Sequence, residues 1–220
     1  MQHRLIICAA AYGEHVDKRY ISVIVFDLGN VLIPFDYSIL IKNFNNISMG
    51  LGDKFSKLYK DNYDIHRKFE SRQISADDFI ATMLDWLEHK VTAEEFCKIY
   101  SDIFTVNKDT TSLLPKLKKN YKLVLLSNTN YIHQKYGWEQ YEFLNHFDKL
   151  ILSHEAGAVK PEPQIYKAVE NYTNELPARH IFIDDIAEYA QGARNMGWDA
   201  ITFTGYNNLL SEFSKRGIIF

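Results

Sequence analysis

Four short stretches bring reactive residue types to the ends of apolar, β-branched runs. The run Ile21 to Phe26 ends on Asp27, Tyr121 to Leu126 on Ser127-Asn128, and Ile181 to Ile183 on Asp184-Asp185. A fourth run, Lys149 to Leu152, leads to Lys160. In an open parallel sheet, ligands bind outside the carboxyl ends of the strands, so three carboxylates, a hydroxyl and an ammonium would meet in one crevice. Carboxylates brought together repel unless a cation shares them. Magnesium suits such a donor set, because it prefers oxygen ligands and bridges readily to phosphate. A carboxylate can also attack phosphorus to give an aspartyl-phosphate. Lys160 and the Ser127 hydroxyl could then hold phosphoryl oxygens as charge develops on them.

The elements that must position these groups follow from periodicity. The four runs, with Ala200 to Phe203 as a fifth, read as strands buried on both faces. Helical spacing appears in Ile165, Tyr166, Val169 and Tyr172, and again in Ala190, Ala193 and Met196 before Gly197. Pro115 would kink or shorten any helix between Lys108 and Asn120. Strands alternating with helices predict an α/β fold with a doubly wound parallel sheet.

Residues 37–107 differ. Ser75-Ala76-Asp77-Asp78 and Thr92-Ala93-Glu94-Glu95 resemble helix-starting capping boxes. Each precedes an apolar stripe, Phe79, Met83, Trp86 and Leu87 in one case and Phe96, Ile99, Tyr100 and Ile103 in the other. The stretch is expected to be an all-helical insert placed after the first strand, with 21–36 and 108–220 forming the core. Gly50-Leu51-Gly52 follows no strand and reads as a turn. Gly157-Ala158-Val159-Lys160 lacks the longer glycine-framed loop of a P-loop.

The motifs Phe26-Asp27-Leu28-Gly29-Asn30-Val31, Leu126-Ser127-Asn128-Thr129-Asn130, Val159-Lys160-Pro161-Glu162 and Ile183-Asp184-Asp185 together resemble the four ordered motifs of the haloacid dehalogenase superfamily. The helical insert lies where that superfamily places its type-1 cap. The wording is closest to the bacterial α-glucose-1-phosphate phosphatase branch. This resemblance implies a Rossmann-like core and a magnesium-dependent phosphatase acting on a small-molecule phosphate ester, with a sugar phosphate expected. It implies Asp27 as nucleophile and metal ligand, with Gly29 giving a backbone carbonyl and Asp184 and Asp185 giving carboxylates to the metal. Ser127 and Asn128 would bind the phosphoryl group, and Lys160 would neutralise it while orienting Asp27. Glu188 stands where many relatives carry another aspartate.

One position departs from the superfamily's phosphatases. Two residues after the nucleophile most carry an aspartate that serves as general acid and base, and here that residue is Gly29. Such help is typically worth about 10²–10⁴-fold. Substrates whose leaving group is already stable, such as an anomeric phosphate, should then be favoured, unless substrate hydroxyls or a bound water fill the gap. Haloacid dehalogenases share the departure but need no metal, and the acidic pair Asp184-Asp185 favours phosphate over carbon–halogen cleavage. A catalytically silent phosphate-binding protein is the remaining alternative. Glu70 and Arg72, placed in a polar turn before Ser75, are candidates for specificity.

Composition narrows the partners. The 220 residues are 46% hydrophobic and 24% charged, with 25 Lys and Arg against 28 Asp and Glu for a net charge of −3. Phosphate-backbone binding needs a basic face, so nucleic acid is not expected. No apolar run approaches the ~20 residues that cross a bilayer. Cys8 and Cys97 match no zinc spacing, and the eight histidines include no HxxxH pair. A reducing, cytoplasmic setting is expected, with the chain a monomer or small homo-oligomer. Residues 1–20, where Arg4 precedes the seven-residue run Leu5 to Ala11, read as an N-terminal extension and not a secretion signal.

Overall fold

The computed structural model describes residues 20–220, so the expected extension, Tyr20 apart, lies outside the described residues. Five strands form one parallel sheet in the order β3-β2-β1-β4-β5: β1 (Val23–Phe26), β2 (Lys122–Ser127), β3 (Lys149–Leu152), β4 (His180–Asp184) and β5 (Asp199–Thr202). The central β1 pairs with β2 and β4, and all four of its residues are buried. Successive side chains of a strand point to opposite faces. Ile24 and Phe26 therefore enter one core cluster while Val23 and Val25 enter the other.

Residues 37–107, which follow β1, hold five helices: α1 (Tyr37–Ile47), α2 (Leu51–Asp61), α3 (Tyr63–Glu70), α4 (Ala76–Trp86) and α5 (Ala93–Ser101). They share an apolar cluster of their own, with Phe44, Phe55, Phe79, Met83, Phe96 and Tyr100 fully buried. Both expected capping boxes start helices, but only one is complete. Thr92 and Glu95 exchange both bonds. At Ser75 the hydroxyl accepts from the Asp78 N–H, while the Asp78 carboxylate meets only the Ser75 hydroxyl. Aspartate is one methylene shorter than the glutamate that reaches back to the cap N–H.

Of the expected turn at Gly50-Leu51-Gly52, only Gly50 lies outside a helix, with φ of 79°. Gly52 is in the first turn of α2, where a Cβ would stand 2.0 Å from the Ile41 carbonyl oxygen of α1. The segment enters and leaves the sheet through neighbouring connectors. Asp36 N–H donates to Ile103 O, Thr105 N–H to Pro34 O and Asn107 N–H to Leu32 O.

After the insert, Pro115 splits the expected helix into α6 (Lys108–Thr111) and α7 (Leu114–Leu117). The β2–β3 connection holds α8 (Tyr131–His133) and a π-helical turn, Gln134–Trp138. The chain continues through α9 (Ser153–Ala156), α10 (Pro163–Thr173), α11 (Ala187–Asn195) and α12 (Tyr206–Lys215). Leu114 and Leu117 of α7 and Leu209 and Phe213 of α12 cover one face of the sheet. Ile165, Tyr166 and Val169 of α10 and Ala190 and Ala193 of α11 cover the other. Helices thus flank both faces, as the doubly wound pattern requires. Tyr172 departs from its expected stripe; it is half exposed and its hydroxyl donates to Asp148 O.

Candidate active site

Parallel pairing aligns the carboxyl ends of the strands. Phe26 lies opposite Leu125 and Ile183, which places Asp27, Ser127, Asp184 and Asp185 along one rim. Asp27, Asp184 and Asp185 each bring a carboxylate oxygen within 4.8 Å of the others. Lys160, fully buried, reaches between two of them. Its Nζ donates to Asp27 Oδ1 at 2.7 Å and to Asp184 Oδ2 at 2.6 Å. The rings of Phe182 and Tyr189 stand 5.3 and 5.1 Å from the same ammonium.

The electrostatics follow from this crowding. Burial pushes the Asp27 carboxyl above the usual carboxylate range, with Lys160 pulling it down and Asp184 pushing it further up. For Lys160, burial works against the charge, but Asp184 and Asp27 outweigh it and the ammonium is held more firmly than usual. Asp185 is raised chiefly by burial, opposed by the amide of Asn30. That amide donates to Asp185 Oδ2 at 2.9 Å. Asn30 sits at φ 53°, a left-handed conformation that Asn tolerates better than most residues. Sequence reasoning gave Asn30 no role; its place directly after Gly29 in a turn was the available signal.

The other expected residues are placed as follows. Ser127 is buried at the end of β2, and its hydroxyl keeps only a 3.4 Å contact with Asn128 O. Asn128 turns its side chain onto Lys160, accepting from the Lys160 N–H at 2.7 Å and donating to its carbonyl at 3.1 Å. Gly29 borders the crevice, and its carbonyl accepts from Val31 N–H at 2.6 Å, which leaves one lone pair free. A Cβ at Gly29 would lie 3.2 Å from the Phe35 ring. Glu188 is exposed and lies outside the carboxylate cluster.

Above this rim the insert closes a crevice of about 150 Å³. Glu70 lines it, as expected of a specificity residue, but from the last position of α3 and not from a turn. His66 Nε2 stands 3.1 Å from Glu70 Oε1, and Arg67 reaches both Glu70 Oε2 and the Lys160 carbonyl at 3.4 Å. Burial would raise the Glu70 carboxyl, but His66 and then Arg67 outweigh it and hold it below the ordinary range. Tyr59 and Tyr100 hydroxyls both meet His66 Nδ1. Arg72 does not join the crevice. It follows the helix at φ 61° and faces a separate depression beside His154. His66 and Arg67 were missed by sequence reasoning, although the i,i+4 spacing of His66 and Glu70 on a helix was legible.

The model of the haloacid dehalogenase-like hydrolase family matches residues 21–197, which run from before β1 to just beyond α11 and include β1 to β4. The chain belongs to that family. A D-ribitol-5-phosphate phosphatase of Bacteroides thetaiotaomicron is 28% identical over 187 residues, which cover 81% of this chain and 90% of that protein. A glyceraldehyde 3-phosphate phosphatase of Pyrococcus furiosus is 26% identical over 199 residues, 84% of this chain and 81% of its own length. Among solved structures, a family enzyme from Bacteroides thetaiotaomicron in complex with magnesium and inorganic phosphate superposes with a TM-score of 0.73. It is 30% identical, with 83% of this chain and 93% of that chain covered. This member of the haloacid dehalogenase-like hydrolases carries no described helix long and apolar enough to cross a membrane.

Proposed function

We propose that this hydrolase is a magnesium-dependent phosphatase of small phosphorylated carbohydrates, working through an aspartyl-phosphate on Asp27. The observation that carries the reading is the Asp27-Asp184-Asp185 cluster with Lys160 bridging two of its members. With all four groups ionised, three carboxylates and one ammonium leave two negative charges, which matches a divalent cation. The donors are all oxygen, as magnesium prefers. Asp27, Asp184 and Asp185, with the free lone pair of the Gly29 carbonyl, would hold the ion. When bound, it would neutralise the phosphate oxygens and align them for attack.

The chain's own groups do the rest. An Asp27 oxygen attacks phosphorus as the bond to the leaving oxygen breaks. Lys160 and the Ser127 hydroxyl hold the equatorial oxygens of the transferring group. Asn128 acts as a positioning residue, since its amide is occupied in fixing Lys160. Water then attacks phosphorus, releasing inorganic phosphate and restoring the Asp27 carboxylate. The leaving oxygen takes its proton from solvent or a substrate hydroxyl, because Gly29 offers none. The helices α1–α5 act as a cap that shields the crevice from water. The relatives support this reading: two carry phosphatase names with polyol or triose phosphates, and the solved neighbour holds magnesium and phosphate. Carbon–halogen cleavage would leave the charge of the carboxylate cluster without a use.

The test is inorganic phosphate release from sugar phosphates, polyol phosphates, acetyl phosphate and p-nitrophenyl phosphate, with and without magnesium, beside Asp27→Asn. Release should require both magnesium and Asp27. Folded protein that binds magnesium and releases nothing from any substrate would overturn the proposal.

A further inference from the structure

Asp185 is held differently from the other two carboxylates of the cluster. Lys160 bonds Asp27 and Asp184, and Asp184 also accepts from the Ile186 N–H at 2.8 Å. Asp185 has neither hold. It is half-buried, and the one side-chain donor it meets among the described residues is the amide of Asn30, 2.9 Å from its Oδ2. The turn that carries Asn30 closes on itself. Leu32 and Ile33 N–H both donate to Leu28 O, Val31 N–H to Gly29 O, and Asn30 N–H to Ile33 O. Within it Asn30 stands at φ 53° and is exposed to solvent. Glycine would take that conformation without strain, and water could satisfy the amide. What asparagine adds is a donor aimed across the rim at a carboxylate that follows another strand.

The four residues from Asp27 to Asn30 thus carry two of the oxygen donors assigned above to the ion, the Asp27 carboxylate and the Gly29 carbonyl, and a clamp on a third. Partners that hydrogen-bond a ligating carboxylate fix its orientation, and their loss typically costs about 10–100-fold in metal affinity. We propose that Asn30 is a positioning residue that holds Asp185 ready for magnesium and so sets the affinity of the site for the ion. With the amide in place, the carboxylate is oriented before the ion arrives, and binding does not have to order it. Without the amide, repulsion from Asp27 and Asp184 turns Asp185 toward solvent. The proposal rests on the reading of Asp185 as a metal ligand and adds to it what keeps that ligand in place.

Two measurements on the full chain without substrate test it. In the first, magnesium is titrated calorimetrically into the wild type and Asn30→Gly. The variant keeps the left-handed turn and loses only the amide, and its magnesium Kd should rise about tenfold. In the second, melting temperatures are followed as magnesium is added, since a ligand that binds only the folded chain stabilises it more as its excess over Kd grows. The magnesium increment should shrink in Asn30→Gly. It should not shrink further when Asn30→Gly is added to Asp185→Asn, because the group that Asn30 acts on is already changed. A magnesium Kd in Asn30→Gly within about twofold of the wild type would overturn the clamp while leaving the metal reading intact. A further loss of the increment in the double variant also overturns it, since Asn30 would then act on the ion without Asp185. A wild type that shows neither heat nor increment with magnesium defeats the metal reading, and the clamp falls with it.

Discussion

Asn128 grips the main chain of Lys160 at two points, its Oδ1 taking the N–H at 2.7 Å and its Nδ2 giving to the carbonyl at 3.1 Å. The residue after β2 thereby fixes, across the crevice, the backbone that carries the bridging ammonium. Asn128→Ala removes both bonds and leaves the Lys160 backbone groups to find other partners. At about 1 kcal/mol for each bond, the variant should lose roughly 2 kcal/mol of stability in urea titration. Its kcat should drop about tenfold or more, since a small misplacement of a reacting group is costly. A variant with wild-type kcat would show that Lys160 needs no such grip.

The ammonium of Lys160 is the only positive group bonded to Asp27 and Asp184 among the described residues. Lys160→Met keeps a long apolar stem but leaves two buried carboxylates facing each other. Breaking a buried pair by removing one partner typically costs about 3–5 kcal/mol. The melting temperature of Lys160→Met without magnesium should therefore fall well below that of the wild type. Millimolar magnesium should restore more of it in the variant than it adds to the wild type. Equal magnesium shifts in the two proteins would mean that the cation does not share these carboxylates.

At Gly29 an added Cβ would stand 3.2 Å from the Phe35 ring, a contact that a shift of the ring by a few tenths of an ångström relieves. Phe35 is part-exposed at 36% and can give way. Gly29→Asp should raise turnover of glucose 6-phosphate, whose leaving group needs a proton, more than that of glucose 1-phosphate. A general acid is typically worth about 10²–10⁴-fold, so a gain of even tenfold in the 6-phosphate to 1-phosphate ratio would be readable. An unchanged or reversed ratio would refute a missing acid as the source of selectivity.

Burial also sets a pH dependence away from the carboxylate cluster. His133 titrates near 6.5 when unfolded and is pushed down to about 3 when folded. Between those values the unfolded chain binds the extra proton, so stability falls as pH falls from 6.5 toward 3 and is fully present above 6.5. His154 and His180 are lowered by burial in the same sense. Urea titrations should show a loss on the order of 1 kcal/mol for each pH unit below 6.5 from His133 alone. His133→Phe should flatten that slope, and equal slopes in the two proteins would contradict it.

Much of the site was legible because its chemistry sits at strand ends, where residue type and local pattern coincide. Asp27, Ser127 and Asp184 needed only the sheet order to be brought together, and Lys160, eight residues beyond β3, joins them with its backbone held by Asn128. Thr92-Glu95 announced a complete cap, while Ser75-Asp78 differed because one missing methylene is invisible to a spacing rule. The groups above the crevice were harder to read. Glu70 was expected in a turn and Arg72 beside it, yet α3 runs one residue past the point where a turn was drawn. That turn then aims Arg72 at another surface. His133 and Trp138 line the crevice without a motif of their own, since burial beside a site is a property of packing and not of sequence. Asn30 takes its role only when a left-handed turn swings its amide toward Asp185, 155 residues away.

The paired connectors at the base of the helical segment have a consequence for how this chain can vary. Three backbone bonds, from Asp36, Thr105 and Asn107, hold its two ends side by side. Whatever the length or sequence between them, the sheet meets the same narrow stalk. Insertions and rearrangements among α1–α5 would be felt in the roof of the crevice and not in the alignment of Asp27 with Asp184. The reactive floor can thus stay fixed while the helices that roof it drift, so that new substrates become reachable without rebuilding the chemistry.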